Sequence, residues 1–203
     1  MIVIVNGCSS AGKTSIIKEM QNLYDKPLLH TGLDRFWAMI PDQYKEYGSK
    51  AYEGYLFSQT TSNDNNPIVH VKKGPFGKQI AATMPQVIKC FADCGHDVAV
   101  DEIFIDDAIL HNYVRALQGQ TVYFVGIVCE LQELERREKH RGNRSLGLAR
   151  GQIDFIHKYK DYYDLIIDST NCDAITCAQN ILNFIHSTPT PQGFKSLESA
   201  CKL

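Results

Sequence analysis

The octet Gly7-Cys8-Ser9-Ser10-Ala11-Gly12-Lys13-Thr14 constrains the fold of this chain more than any other segment. It follows the β-branched apolar run Met1–Val5 and opens the segment Lys13–Tyr24, where Ile16, Ile17, Met20 and Leu23 share one helical face. Two glycines at this spacing let the backbone curl until successive N–H groups face one anion. The helix N-terminus adds partial positive charge there. The pattern G-x-x-x-x-G-K-[ST] therefore predicts a nucleoside triphosphate cradle made of Gly7, Ser9, Ser10, Ala11, Gly12, Lys13, Thr14 and Ser15. Lys13 is expected on the β- and γ-phosphates and the Thr14 hydroxyl on Mg²⁺. A strand of continuous apolar character feeding such a loop belongs in a parallel sheet covered on both faces.

The rest of the chain repeats the alternation. Leu28–Thr31, Val98–Asp101, Thr121–Val128 and Leu165–Asp168 read as further strands. Helical periodicity fills Lys78–Cys94, Asp106–Leu117, Glu130–Lys139 and Asp173–His186. The expectation is a five-stranded parallel α/β sandwich spanning residues 1–187. Two stretches fall outside it. Residues 42–77 form a long tyrosine- and asparagine-rich insertion, either functional or a surface elaboration packing its tyrosines on the core. Residues 188–203 read as a loosely held tail. With 21 basic against 23 acidic residues, net charge gives no support to nucleic-acid or membrane binding. Seven cysteines without framework spacing, and no signal segment, suggest reduced thiols in a cytoplasmic protein, specialised export remaining open. Cys90, Cys94 and His96 lack a second pair at zinc spacing, so the thiols read as buried small hydrophobes rather than a metal site.

Three more features carry chemistry. Val98–Asp101 ends in a carboxylate, placing Asp101 to orient the Mg²⁺ shell; a solvated strand end is the alternative. Asp34 follows the second strand, where ligands of open α/β sheets bind, and can take a proton from a hydroxyl attacking the γ-phosphate. It could equally cap the helix begun by Arg35-Phe36-Trp37. Residues 135–150 hold Arg136, Arg137, Lys139, Arg141, Arg144 and Arg150 against two acids and are broken by Gly142, which suits an arginine-rich lid over triphosphate. Trp37, Tyr52 and Tyr55 are candidates for the acceptor pocket, although core packing explains aromatic residues as well.

Together these residues resemble the chloramphenicol phosphotransferase family of P-loop kinases. The resemblance rests on Asn6–Thr14, Gly32-x-Asp34 and the acid-tipped strand running into Ile103-Phe104. It extends through Arg137-Glu138-x-x-Arg141-Gly142-x-Arg144, Gly147, Gln152, and Tyr163-Asp164 ahead of Asp168. It implies a kinase-like three-layer sandwich with strand order 2-3-1-4-5. It also implies ATP- and Mg²⁺-dependent transfer to a small-molecule hydroxyl, in the named member the primary hydroxyl of chloramphenicol. By position it assigns Asp34 as base, Lys13 as phosphate lysine, Arg137 to the nucleotide, and Arg141 and Arg144 to the lid. The segment between Asp34 and Gly74 is longer than the family pattern. A metabolic kinase of shikimate or nucleoside type uses the same parts, and a nucleotide-controlled effector with a macromolecular partner is the alternative from another class. The oligomeric state is not legible.

Overall fold

A computed structural model describes residues 1–142 and 145–201. The central sheet contains β1 (Ile2–Gly7), β2 (Leu28–Gly32), β6 (Asp97–Glu102), β7 (Val122–Val128) and β8 (Leu165–Asp168), all parallel, in the order β2-β6-β1-β7-β8. Counted within that sheet alone, the order is 2-3-1-4-5. The chain-wide labels differ only because three strands of the insertion intervene.

β1 explains the two-layer covering. Its side chains are fully buried and alternate, as a strand requires. Val3 and Val5 enter a core with Ile16, Ile17 and Met20 of α1 (Lys13–Leu23) and Cys177, Ala178 and Ile181 of α6 (Ala174–Ser187). Ile2 and Ile4 face the opposite core, built with Ile88 of α3 (Pro75–Asp93) and with Leu110, Tyr113 and Val114 of α4 (Asp107–Ala116). Each such side chain contributes about 1.5–3 kcal/mol by leaving water, which makes this strand the least negotiable part of the register. Asp106 caps α4 by accepting from Ile109 N at 2.9 Å.

The two irregular stretches turn out to be folded. Residues 42–77 contain a three-stranded sheet of β3 (Lys45–Glu46), β4 (Tyr55–Thr61) and β5 (Pro67–Lys73), with β4 and β5 forming an antiparallel hairpin. Tyr55, Phe57 and Val69 are its buried residues, so the insertion has an apolar face of its own. The expected loose tail instead forms α7 (Gly193–Ala200). Phe194 and Leu197 are buried in the second core, and Asp164 Oδ1 accepts from Gln192 N and Gly193 N, both at 2.8 Å. Among the described residues, no helix is long and apolar enough to cross a membrane.

Candidate active site

The phosphate loop lies between β1 and α1 with Ser10 and Gly12 both at positive φ, 64° and 92°. Lys13 is buried, and its Nζ donates to Gly7 O and Cys8 O, both at 2.8 Å, while Asp101 Oδ1 stands 3.6 Å away. Thr14 Oγ1 donates to Asp101 Oδ2 at 2.5 Å. A hydroxyl and a carboxylate on adjacent elements are hard oxygen donors, the chemistry Mg²⁺ takes when phosphates and water complete its shell. No cluster of three metal-ligating side chains occurs among the described residues, and Cys90 and Cys94, expected as buried small hydrophobes, are exposed near the end of α3.

Gly32 brings Asp34 into this neighbourhood. At φ 147° it lies against β6 so closely that a Cβ would stand 2.1 Å from Asp101 O. Any side chain would push the end of β2 away from β6. Asp34 then enters the first turn of α2 (Leu33–Met39), solvent-exposed but on the wall of the same cleft as Asp101.

Three cavities meet here. The first, about 370 Å³, is bounded by Ser10, Gly12, Ser15, Arg137, Arg141, Ser169 and Cys177. A cleft of about 30 Å³ follows, walled by Ser9, Lys13, Thr14, Asp34, Asp101 and Arg141. The third, about 300 Å³, extends from Asp34 over Trp37, Tyr55, Phe57, Val71, Glu102, Leu148 and Gln152. Arg141 lines the first two cavities and Asp34 the last two. Loop, base and lid candidates thus line neighbouring cavities that share walls.

The arginines divide. Arg137 in α5 (Leu131–Arg141) donates to Glu133 Oε1 at 2.7 Å and to Ser169 O at 2.6 Å, pinning the helix to the loop after β8. Ser169 Oγ in turn donates to Ala11 O at 2.8 Å, so this loop also holds the phosphate cradle. Arg150 pairs with Glu135 at 2.6 Å and Asp64 at 3.2 Å, away from the phosphate path. Arg144 lies outside the described residues. Of the aromatic candidates, Trp37 and Tyr55 line the third cavity, their rings 5.2 Å apart. Tyr52 does not: it is 64% exposed on a turn. Thr170 takes a hydrogen bond from Glu130 N at 3.1 Å, while Ser169 and Cys172 line the first cavity.

Residues 1–186 match the family described as Chloramphenicol phosphotransferase-like protein. The chain belongs to that family. Members of the chloramphenicol phosphotransferase-like family are P-loop phosphotransferases, and the kinase-type enzyme expected from the sequence is what the match establishes. A Mycobacterium tuberculosis (strain H37Rv) protein carrying the provisional name O-phosphotransferase is 28% identical over 196 residues, 97% of this chain and 87% of that protein. In fold, a sugar kinase from Janibacter sp. HTCC2649 superposes with TM-score 0.62 at 13% identity, over 93% of this chain and 95% of that one. The shikimate kinase of Acinetobacter baumannii gives 0.56 at 12% identity, over 92% and 93%.

Three residues of this family member went unassigned in the sequence. Glu138 is 1% exposed, and its carboxylate accepts from Gly147 N at 2.9 Å and Ala149 N at 2.7 Å. Gln152 Oε1 accepts from Ser9 N at 2.8 Å, tying the segment beyond α5 to the phosphate loop. Their signal was burial-compatible spacing: Leu134 and Glu138 share a helical face, so the acid lies under the apolar side of a basic helix. Glu102 is the third. Burial pushes its carboxyl above the usual range, although the Tyr113 hydroxyl and Ile103 N both donate to it.

Proposed function

We propose that the chain transfers the γ-phosphoryl group of Mg-ATP to the hydroxyl of a small molecule bound beneath the insertion. The observation that carries this reading is Asp34 on the wall shared by the phosphate cleft and the third cavity. A hydroxyl held in that cavity meets the γ-phosphorus through the cleft. Its oxygen bonds to phosphorus as the bond to the β–γ bridging oxygen breaks, ADP leaves, and the hydroxyl proton passes to the Asp34 carboxylate.

Lys13 exchanges its two loop carbonyls for phosphate oxygens, and its burial makes that charge more effective than at a surface. Thr14 and Asp101 are the residues suited to hold Mg²⁺, which when bound neutralises charge on the β- and γ-oxygens. Arg141 borders both the nucleotide cavity and the cleft, where a guanidinium would stabilise charge on the moving group. Trp37, Tyr55 and Leu148 orient the acceptor and exclude water, an effect realised only once the alcohol is seated.

Chloramphenicol is the first acceptor to test, because the family resemblance points to its primary hydroxyl. Mass spectrometry of a reaction with Mg-ATP should give a phosphorylated product that falls by about 10²–10⁴ in rate with Asp34→Asn while nucleotide affinity is retained. Product formation unchanged in that variant would remove Asp34 as base. No product from chloramphenicol, with ATP still bound, would leave a phosphotransferase acting on another alcohol.

A further inference from the structure

Asn6 stands directly ahead of the phosphate loop, is 1% exposed, and lines none of the three cavities. Its amide nevertheless joins three segments. Oδ1 accepts from Phe104 N at 2.9 Å, just beyond the strand that ends in Asp101 and Glu102. Nδ2 donates to Ile156 O at 3.0 Å and to Tyr163 OH at 2.7 Å. The backbone N–H and C=O partners fix which end of the amide is oxygen. A glycine makes room for this arrangement. Asn6 pairs with Gly126 of β7, where a Cβ would stand 2.3 Å from the Tyr163 ring. Without that Cβ the ring lies against the strand, and its hydroxyl reaches Asn6.

Tyr163 passes the bond on. Its oxygen accepts from Asn6, and His157 Nδ1 stands 3.0 Å from the same hydroxyl. Asn6 has committed both of its protons, so the phenol proton is free to point at the imidazole. Nδ1 is therefore an acceptor, and the ring proton sits on Nε2.

We infer that Tyr163 and His157 are positioning residues for phosphoryl transfer: acting through Asn6, they hold the start of the phosphate loop, with His157 as the Nε2–H tautomer. The catalytic effect rests on the phosphotransferase reading; the relay of hydrogen bonds can be tested without it. What the relay holds is the turn carrying the Gly7 and Cys8 carbonyls, each 2.8 Å from Lys13 Nζ. Phe104 N binds the same amide, so Lys13 and the Asp101 strand are set from one point.

The relay also has a proton-sensitive member. Burial and the Lys13 charge lower the imidazole of His157, and no carboxylate pairs with it among the described residues. Burial raises Tyr163 and Cys8 each to about 12, so both stay neutral. On acidification His157 is the group that gains a proton. A protonated Nδ1 presents a second donor to the phenol oxygen, turns the phenol proton away and adds charge toward Lys13.

Histidine nitrogen NMR, with the signal assigned by its loss in His157→Asn, should show Nδ1 unprotonated. Turnover of chloramphenicol with Mg-ATP is followed across pH, with Mg-ADP affinity measured beside it by calorimetry. Tyr163→Phe strands a buried Asn6 donor and should lower kcat about tenfold while the acceptor KM changes little. Asparagine keeps an acceptor oxygen where Nδ1 stood, so His157→Asn should flatten the fall in kcat that the parent protein shows below 6.5. A ring proton on Nδ1 overturns the inference. So does lowered urea stability in both variants with kcat and its pH profile unmoved, because the relay is then structural only. If chloramphenicol is not phosphorylated, Mg-ADP affinity decides. A loss of about tenfold in Tyr163→Phe, with an acid decline that His157→Asn removes, upholds the positioning role and counts against this acceptor alone. An affinity that neither variant moves overturns it.

Discussion

Replacing Glu138 with glutamine tests whether the lid is held from inside. The carboxylate accepts from two backbone N–H groups, Gly147 at 2.9 Å and Ala149 at 2.7 Å, in a site 1% exposed. A hydrogen bond to a charged partner contributes about 1.5–3 kcal/mol, and a buried donor left without one costs about 1–3 kcal/mol. Glutamine retains one acceptor oxygen and turns an NH₂ group toward the other N–H. One bond is lost and one donor is stranded. The discrepancy falls on the segment that carries Leu148 into the acceptor cavity and Gln152 onto Ser9. Taking about 2.5 kcal/mol, the low end of the sum, amide exchange across residues 145–152 should quicken ~70-fold. Exchange in β1 and β7 should change far less, because their amides are held by the parallel ladder on both sides of β1, even though Ala149 packs in the same core. Hydrogen–deuterium exchange with peptide-level mass spectrometry reads this directly, and KM for both substrates should rise in the same variant. Unchanged exchange at 145–152, or an equal acceleration in β1, would refute the idea that Glu138 acts as a local staple.

The other expectations are simpler. Phe194→Ala removes a ring 2% exposed that meets Phe124 at 6.2 Å, and should lower unfolding free energy by about 3–5 kcal/mol in urea titration; a loss under ~1 kcal/mol would return residues 188–201 to the status of a tail. Gly147→Ala introduces a Cβ 2.3 Å from Pro67 O at a φ of 95°, so the hairpin must shift, melting temperature should fall and acceptor KM should rise. Stability should also fall on acidification. Burial depresses the imidazoles of His30 and of His157, the latter also repelled by Lys13. Each therefore contributes stability that is complete above its ordinary value of 6.5 and is lost as pH falls through the depressed folded value. Chemical denaturation at a series of pH values should show that decline below 6.5, and His157→Gln should make it shallower.

Legibility in the sequence followed locality. β1, the phosphate loop and α1 announce themselves because one short segment contains the strand, the glycines, the lysine and the amphipathic helix that the anion site requires. Asp34 and Asp101 were readable for a related reason: each lies at the end of a strand, and parallel sheets gather strand ends. The hairpin was harder. Tyr55 and Phe57 alternate correctly for a strand, as do Val69 and Val71. The polar run Ser62–Asn66 between them reads as loop, and the apolar face is covered only once the lid arrives. The α7 helix offered two apolar side chains after Pro189 and Pro191, too weak a period to trust. Its docking depends on Asp164, nearly thirty residues earlier. Tyr52 and Tyr55 look alike in a tyrosine-rich segment, and only strand pairing distinguishes the buried ring from the one on the turn.

The contacts between hairpin and lid explain why an insertion belongs at this site at all. Val69 N donates to Gly147 O at 3.0 Å, a Cβ on Gly151 would stand 2.0 Å from Val69 O, and Arg150 joins Asp64 to Glu135. These contacts bind the acceptor wall to the helix that carries Arg137 and Arg141. The same lid segment reaches the phosphate loop through Gln152 and Ser9. Under the proposed function, an acceptor pressing Phe57 and Val71 into place would act on Arg137 and Arg141, and a nucleotide would act on that wall through the same bonds. Linkage requires such coupling to be reciprocal in binding free energy. Under the proposed function, such reciprocity would favour transfer to a seated alcohol over loss of phosphate to water.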